Sequence, residues 1–243
     1  MNRTSIATVM VGLVLAFSAG VIFSNLDNQE NLDKMSGKGS ASANIVAAAQ
    51  ESNQGAIGEV KVDIIPGDGD TLIETNPFVQ ADTQLSATKA REIAEEYTGK
   101  TLENHDIIYE IKMDSKVVGG PSAGAAMTIA TIAAITNKKV KKDAAITGTI
   151  TESGRIGKVG EIPVKATAAG QNNIKTFYVP QGQSAKINYH PVLEKERRGL
   201  FVYKDVEYQR QILNISKYTQ QKYGMKTQEI RNIYQAADKI LTQ

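Results

Sequence analysis

Cysteine is absent from the 243-residue chain, which excludes disulfides, thiolate metal sites, iron–sulfur clusters and a cysteine nucleophile. Histidine is nearly absent, at His105 and His190 alone. A multi-histidine metal centre needs more ligands than that, and no cofactor is expected. Charge of one sign is also scarce: 28 Lys and Arg against 26 Asp and Glu leave a net +2. So small a balance argues against nucleic acid as a partner. The phosphate-loop pattern G-x-x-x-x-G-K-[ST] does not occur, and the glycine-rich GGPSAG lacks the lysine such a loop requires. What is plentiful is apolar. Hydrophobic residues make up 41% and charged residues 22%, enough for a packed core in one ordinary domain or two small ones.

Residues 6–23 (IATVMVGLVLAFSAGVIF) carry no charge, over about the minimum length of a membrane-spanning helix. Arg3 precedes them; Asp27 and Glu30 follow. Positive charge stays on the cytoplasmic side, so the rest of the chain is expected outside the cytoplasm on a single-pass anchor. A cleavable signal peptide is the competing reading, with Ser18, Ala19 and Gly20 as cleavage-site residues. The apolar run continues past them through Phe23, which favours the anchor. The expected organisation is an anchor over 1–24, a flexible linker over 25–40 rich in Asn, Gln, Ser and Gly, and a folded body over 41–243.

Within the body, residues 44–50 and 56–65 flank a turn-rich ESNQG and predict a hairpin. Val60, Val62 and Ile64 alternate with charged residues, as in a half-buried strand. Residues 88–97 predict an amphipathic helix stopped at Gly99, and 106–113 a strand. Residues 144–150 and 155–159 predict two more. Near the C-terminus, Thr227 is placed to cap a helix with Ile230, Ile233, Tyr234, Ala237, Ile240 and Leu241 on one stripe. The EKERR run over 194–198 reads as a solvated face. His105 falls in a polar turn and His190 in a loop, so a serine–histidine pairing is disfavoured.

Two segments carry chemistry. GGPSAG, over 119–124, leads into the small, apolar AAMTIATIAAIT, a buried helix. Ser122 then sits at a helix mouth, where unpaired N–H groups and partial positive charge supply the ingredients of an oxyanion hole. Taken alone, it reads more simply as an ordinary N-cap. Gly160-Glu161-Ile162-Pro163 opens a second helix, with Pro163 at its start and Lys165 in its first turn. Helix dipole and apolar neighbours both disfavour the ammonium form and push the lysine pKa down. A solvated surface lysine is the plainer alternative.

Together, GGPSAGAAM, ITGTITESGRIGKVGEIPVKATAAG and NIKTFYVP resemble the proteolytic domain of Lon-type serine proteases. The likeness is nearest to the membrane-anchored archaeal Lon-like proteins that lack an ATPase module. It implies an α+β fold with mixed β-sheets and packed helices. It also implies an ATP-independent serine endopeptidase acting on unfolded or exposed polypeptides, assembled as a homo-oligomeric ring, possibly six-membered. Residue by residue, Ser122 would be the nucleophile and Lys165 its general base. Thr147 would support the lysine, and the backbone N–H groups of Gly120 and Ser122 would form the oxyanion hole. Gly119 departs from the pattern: many full-length members carry Asp three residues before the serine. A catalytically silent, membrane-anchored peptide-binding scaffold of the same fold is the alternative. A small-substrate amidase using the same dyad is a third.

Overall fold

A computed structural model describes residues 33–34, 37–48, 54–74, 78–114, 117–198 and 201–243. The apolar segment 6–23 and ten of the sixteen residues of the expected linker lie outside them, and the linker's last two, Gly39 and Ser40, belong to a strand. Among the described residues no helix is long and apolar enough to cross a membrane.

The body from Lys34 onward begins with the expected hairpin. Strand β1 (Gly39–Ala48) pairs antiparallel with β2 (Gly55–Pro66), with Ala48 opposite Gly55. It starts earlier than the apolar pattern at 44 suggests. Gly39, Ser40, Ala41 and Ser42 carry no hydrophobic alternation, and their pairing is dictated by 61–64 across the ladder. After β3 (Thr71–Ile73) comes helix α1 (Ala81–Thr98), which ends on Gly99 in the left-handed conformation at φ 64°. That stop is the expected one. The start is seven residues earlier than the charge pattern gives, and those residues later prove important.

Strand β4 (His105–Met113) buries alternate residues and pairs with β2. His105 is its first residue and is buried. Helix α2 (Gly124–Thr136) buries every residue from Gly124 to Ile135. Its threonines fold their hydroxyls back onto the helix: Thr128 donates to the Gly124 carbonyl and Thr131 to that of Met127, each at 2.8 Å. Polar atoms therefore enter the core already satisfied.

The run 144–150 is not one strand. It divides into β5 (Ala144–Ile146) and β6 (Thr149–Ile150), separated by Thr147 and Gly148. The strand expected over 155–159 shortens to β7 (Ile156–Gly157), antiparallel to β6. Helix α3 (Ile162–Gln171) carries Pro163 in its first turn, and β8 (Thr176–Pro180) follows.

Strands β9 (Ala185–Arg198) and β10 (Phe201–Asn214) form a long two-stranded arm. His190 and Pro191 lie mid-strand in β9, not in a loop. Among the described residues β9 pairs with β10 alone, so it is an edge strand, where a proline is tolerated. Ile187 faces Ile212, Pro191 faces Tyr208 and Leu193 faces Val206. Directly opposed residues share a face, so one side of the arm exposes apolar side chains.

Helix α4 (Ile215–Tyr223), strand β11 (Lys226–Ile230) and helix α5 (Ile233–Ile240) complete the chain. Thr227 does not cap a helix. It lies buried in β11, 2.8 Å from the Thr219 hydroxyl, opposite Phe177 in the ladder. Parallel pairing with β8 satisfies this stretch of backbone and overrides its helical stripe. Asn232 caps α5 instead, accepting from the Gln235 N–H at 2.9 Å. Asn232→Ala is expected to cost about 1 kcal/mol of stability in urea unfolding, an effect a Thr227 cap would not produce.

The main sheet runs β11-β8-β5-β1-β2-β4-β3. Strands β1, β5, β8 and β11 are parallel to one another and β2 is antiparallel to its neighbours, so the sheet is mixed and the fold α+β. Each face buries its own core. Ala43, Ile45, Ile146 and Tyr178 pack with α1, α2 and α5. Val46, Ala145, Phe177 and Val179 pack with α3 and α4. The nucleophile turn therefore belongs to one layer and the lysine helix to the other.

Candidate active site

Alternation along β5 sends Ala145 to one face and Ile146 to the other; the next residue, Thr147, leaves the sheet at the carboxyl end of a parallel strand. Open α/β sheets place their sites outside such ends. Here the strand turns toward the segment before α2. The Gly148 N–H donates to the Ser122 carbonyl at 3.0 Å, and the Ala125 N–H donates to the Gly148 carbonyl at 3.0 Å. Ser122 itself is half-buried in a short 3₁₀ turn, Pro121–Ala123, that feeds α2. Gly120, just before it, has φ 89° and ψ 145°, a region essentially closed to residues with a Cβ. The expected helix mouth is there, entered through a turn that needs glycine.

Lys165 comes from the opposite layer. It is 5% exposed, and its backbone N–H makes an early helical bond to the Glu161 carbonyl at 3.0 Å. Glu161 precedes α3 in the left-handed region at φ 56°, which is uncommon for a residue with a side chain. The Lys165 amine donates to the Thr147 hydroxyl at 3.4 Å, and that hydroxyl donates to the Ser122 carbonyl at 3.2 Å. The polarity is consistent. Thr147 spends its one proton on Ser122 and offers a lone pair to the lysine. The amine gives a hydrogen to Thr147, so in its neutral form its own lone pair remains available. Burial brings the Lys165 pKa down from its ordinary 10.5 to about 8, with Glu161 opposing the shift. An amine that loses its proton near neutral pH is suited to proton abstraction.

Of the expected site residues, the structure thus brings Ser122, Thr147 and Lys165 into one hydrogen-bonded chain. Neither His105 nor His190 enters it: one begins β4 and the other lies exposed on the arm. Among the described residues no cluster of His, Asp or Glu could hold a metal ion.

Three residues escaped the sequence reading because they sit at the unanticipated start of α1. Asp82 Oδ1 accepts from the Gly120 N–H at 3.1 Å, and the Thr83 hydroxyl donates to the Gly120 carbonyl at 3.3 Å. Gln80 occupies the space beside Gly119, where an added Cβ would collide with its side-chain amide. An aspartate at 119 would have to displace Gln80. The only sequence signal was an Asp-Thr pair of N-terminal helix type. Nothing local linked it to a turn 37 or 38 residues away. A second unforeseen tie is Gln183, whose amide clamps Val159 through both backbone groups at 3.0 and 2.7 Å. It braces the loop that leads into the lysine helix.

A half-buried serine at a glycine turn and a buried lysine with a lowered pKa, joined through a threonine hydroxyl, form an arrangement of the kind used by hydrolases that employ an amine in place of histidine. The Lon protease (S16) C-terminal proteolytic domain matches residues 36–216, and the chain belongs to that family of serine endopeptidases. Lon protease 1 of Myxococcus xanthus is 30% identical over 142 residues, 57% of this chain and 17% of the relative. Lon protease of Buchnera aphidicola is 41% identical over 78 residues, 32% of this chain and 10% of the relative. Lon protease of Fervidobacterium nodosum is 30% identical over 154 residues, 62% and 19% of the two. The chain spans less than a fifth of these relatives' length.

Proposed function

We propose that this chain hydrolyses unfolded or exposed polypeptides without ATP, through a Ser122–Lys165 dyad. The observation that carries the reading is the buried lysine tied through Thr147 to the nucleophile turn. Neutral Lys165 takes the Ser122 proton as Oγ attacks the peptide carbonyl. The tetrahedral intermediate places its oxyanion at the Gly120 and Ser122 N–H groups. Lys165 then returns the proton to the departing amine and leaves an acyl-enzyme. Water, deprotonated by the same lysine, releases the acid.

Thr147 holds the amine in the orientation this needs. Thr147→Val, nearly isosteric, is expected to lower kcat roughly 10- to 100-fold with little change in KM, and Thr147→Ser to restore most of it. Steady-state hydrolysis of a quenched fluorescent peptide measures both.

ATP independence is carried over from the resemblance to the members that lack an ATPase module. The uncharged segment 6–23 supports a single-pass anchor, with the linker at 25–40 and the catalytic body outside the cytoplasm. In this reading the protein resembles the archaeal membrane-anchored, ATPase-less members more than the bacterial relatives named above. Assembly into a homo-oligomeric ring, possibly of six copies, is carried over from the family resemblance. A silent scaffold would leave the depressed lysine pKa and its threonine partner without a use, so it is not favoured.

The test is hydrolysis of a fluorescently labelled unfolded protein by the detergent-solubilised full chain with no nucleotide present. Cleavage unaffected by ATP supports the proposal. Inactivity of a folded, assembled chain until ATP and a motor subunit are added would overturn it.

A further inference from the structure

Gly120 is held at both of its backbone groups by residues from the start of α1. Its N–H donates to Asp82 Oδ1 at 3.1 Å. Its carbonyl accepts from Thr83 Oγ1 at 3.3 Å. The same carboxylate oxygen accepts from the Thr83 N–H at 2.8 Å and lies 3.4 Å from the Thr83 hydroxyl. One hydroxyl proton serves both neighbours of Thr83 Oγ1. The Asp82 carboxylate therefore keeps a strong partner, the Thr83 N–H, whether or not Gly120 is bound to it.

An oxyanion hole works by presenting donors that are free when charge develops. A donor already committed to a carboxylate is not free, and the carboxylate's own charge repels the incoming oxyanion. Resting on the assignment of Gly120 as an oxyanion donor, we propose that Asp82 is a latch on the nucleophile turn. With the latch closed, the Gly120 N–H points at Asp82. Substrate binding draws that N–H away, and the carboxylate remains on the Thr83 N–H. Asp82 touches neither substrate nor the reacting atoms. It acts through Gly120, setting what fraction of molecules have both donors ready.

The site gives the latch room to be a separate element. Asp82 and Gly120 lie 38 residues apart, on a helix start and a turn. The glycines at 119 and 120 leave the turn free of side chains that would otherwise fix it. The left-handed φ of Gly120 lets the peptide plane swing without the steric penalty a side chain would add.

The experiment compares wild type, Asp82→Ala and Asp82→Asn as full chains. It measures the rate of Ser122 labelling by a fluorophosphonate probe, together with kcat and KM on a fluorogenic peptide. Asp82→Ala removes the acceptor and is expected to raise the labelling rate and kcat roughly tenfold, the worth of one charged hydrogen bond at its lower end. KM should stay level. Asp82→Asn keeps an oxygen to accept from Gly120 and Thr83 but loses the charge, so a smaller rise of about threefold is expected. Circular dichroism and urea midpoints establish that each variant is folded. Should Asp82→Ala not fold for want of the Thr83 contact, Asp82→Asn carries the test alone.

Folded variants that label and turn over no faster than wild type overturn the latch. They would make Asp82 a structural tie that shapes the turn for catalysis. Failure of the underlying dyad looks different, because no variant, wild type included, would then carry label on Ser122.

Discussion

Ser122→Ala is expected to abolish hydrolysis, lowering kcat by about 10³-fold or more, and Lys165→Ala to do the same. The two losses should not add. A serine without its base and a base without its serine are equally idle, so the double variant should match either single one. Both variants should fold. Ser122 is half-buried, and its carbonyl accepts from the Gly148 N–H and the Thr147 hydroxyl; alanine keeps both bonds and removes only Oγ. Labelling of wild type by a fluorophosphonate, lost in both variants, would fix the nucleophile and the base in one comparison. Activity surviving Lys165→Ala but not Ser122→Ala would require another base.

Lys165→Met is expected to make a dead enzyme that is more stable than the wild type. Burial holds the Lys165 pKa at about 8 against an ordinary 10.5. Below pH 8 the amine is charged in both the folded and the unfolded chain, and the folded chain bears the cost of burying it. Between pH 8 and 10.5 the unfolded chain still holds the proton while the folded chain has released it. Stability therefore rises with pH across that window and is lowest below it. The full difference is on the order of 3 kcal/mol. Methionine fills similar space without charge, so at pH 7 it should gain about 1–3 kcal/mol in urea unfolding. The gain should vanish by pH 10.5. Activity of the wild type has the matching sign. The reactive neutral amine falls tenfold for each unit below pH 8, so kcat/KM should climb with slope one and level off near 8. A flat profile from pH 6 to 9 would remove Lys165 from the role of base.

Much of this was legible from residues alone. The β1–β2 hairpin, the buried helix α2, the stop at Gly99 and the lysine helix opened by Pro163 all follow from local pattern. Ser122 and Lys165, at a helix mouth and in a first turn, have plain readings when taken alone; their roles, and Thr147 altogether, come from the resemblance of three segments to the Lon-type domain. What could not be read is what depends on distant partners. Thr147 and Gly148 look like the middle of one strand; the Thr147 N–H still donates to Tyr178, but the Thr147 hydroxyl and the Gly148 N–H both turn to the Ser122 carbonyl, and the strand breaks there. Thr227 looks like a cap; it is a strand residue because β8 lies alongside. The start of α1 looks too weakly patterned for helix. It is fixed by Asp82 and Thr83 gripping Gly120, a contact with no trace in local sequence.

The two halves of the dyad descend from opposite sides of one sheet, Ser122 with the α2 layer and Lys165 with the α3 layer. Each layer has its own hydrophobic cluster, and Thr147, at the end of β5, hydrogen-bonds to Lys165 on one side and to the Ser122 carbonyl on the other. A newly made chain with one layer docked owns a serine that cannot be activated or an amine with nothing to activate. In the proposed mechanism, hydrolysis therefore requires both layers to be docked and ceases when either side loosens. On that reading the architecture acts as a two-key lock, and hydrolysis by a copy of the chain would report that both of its layers are folded.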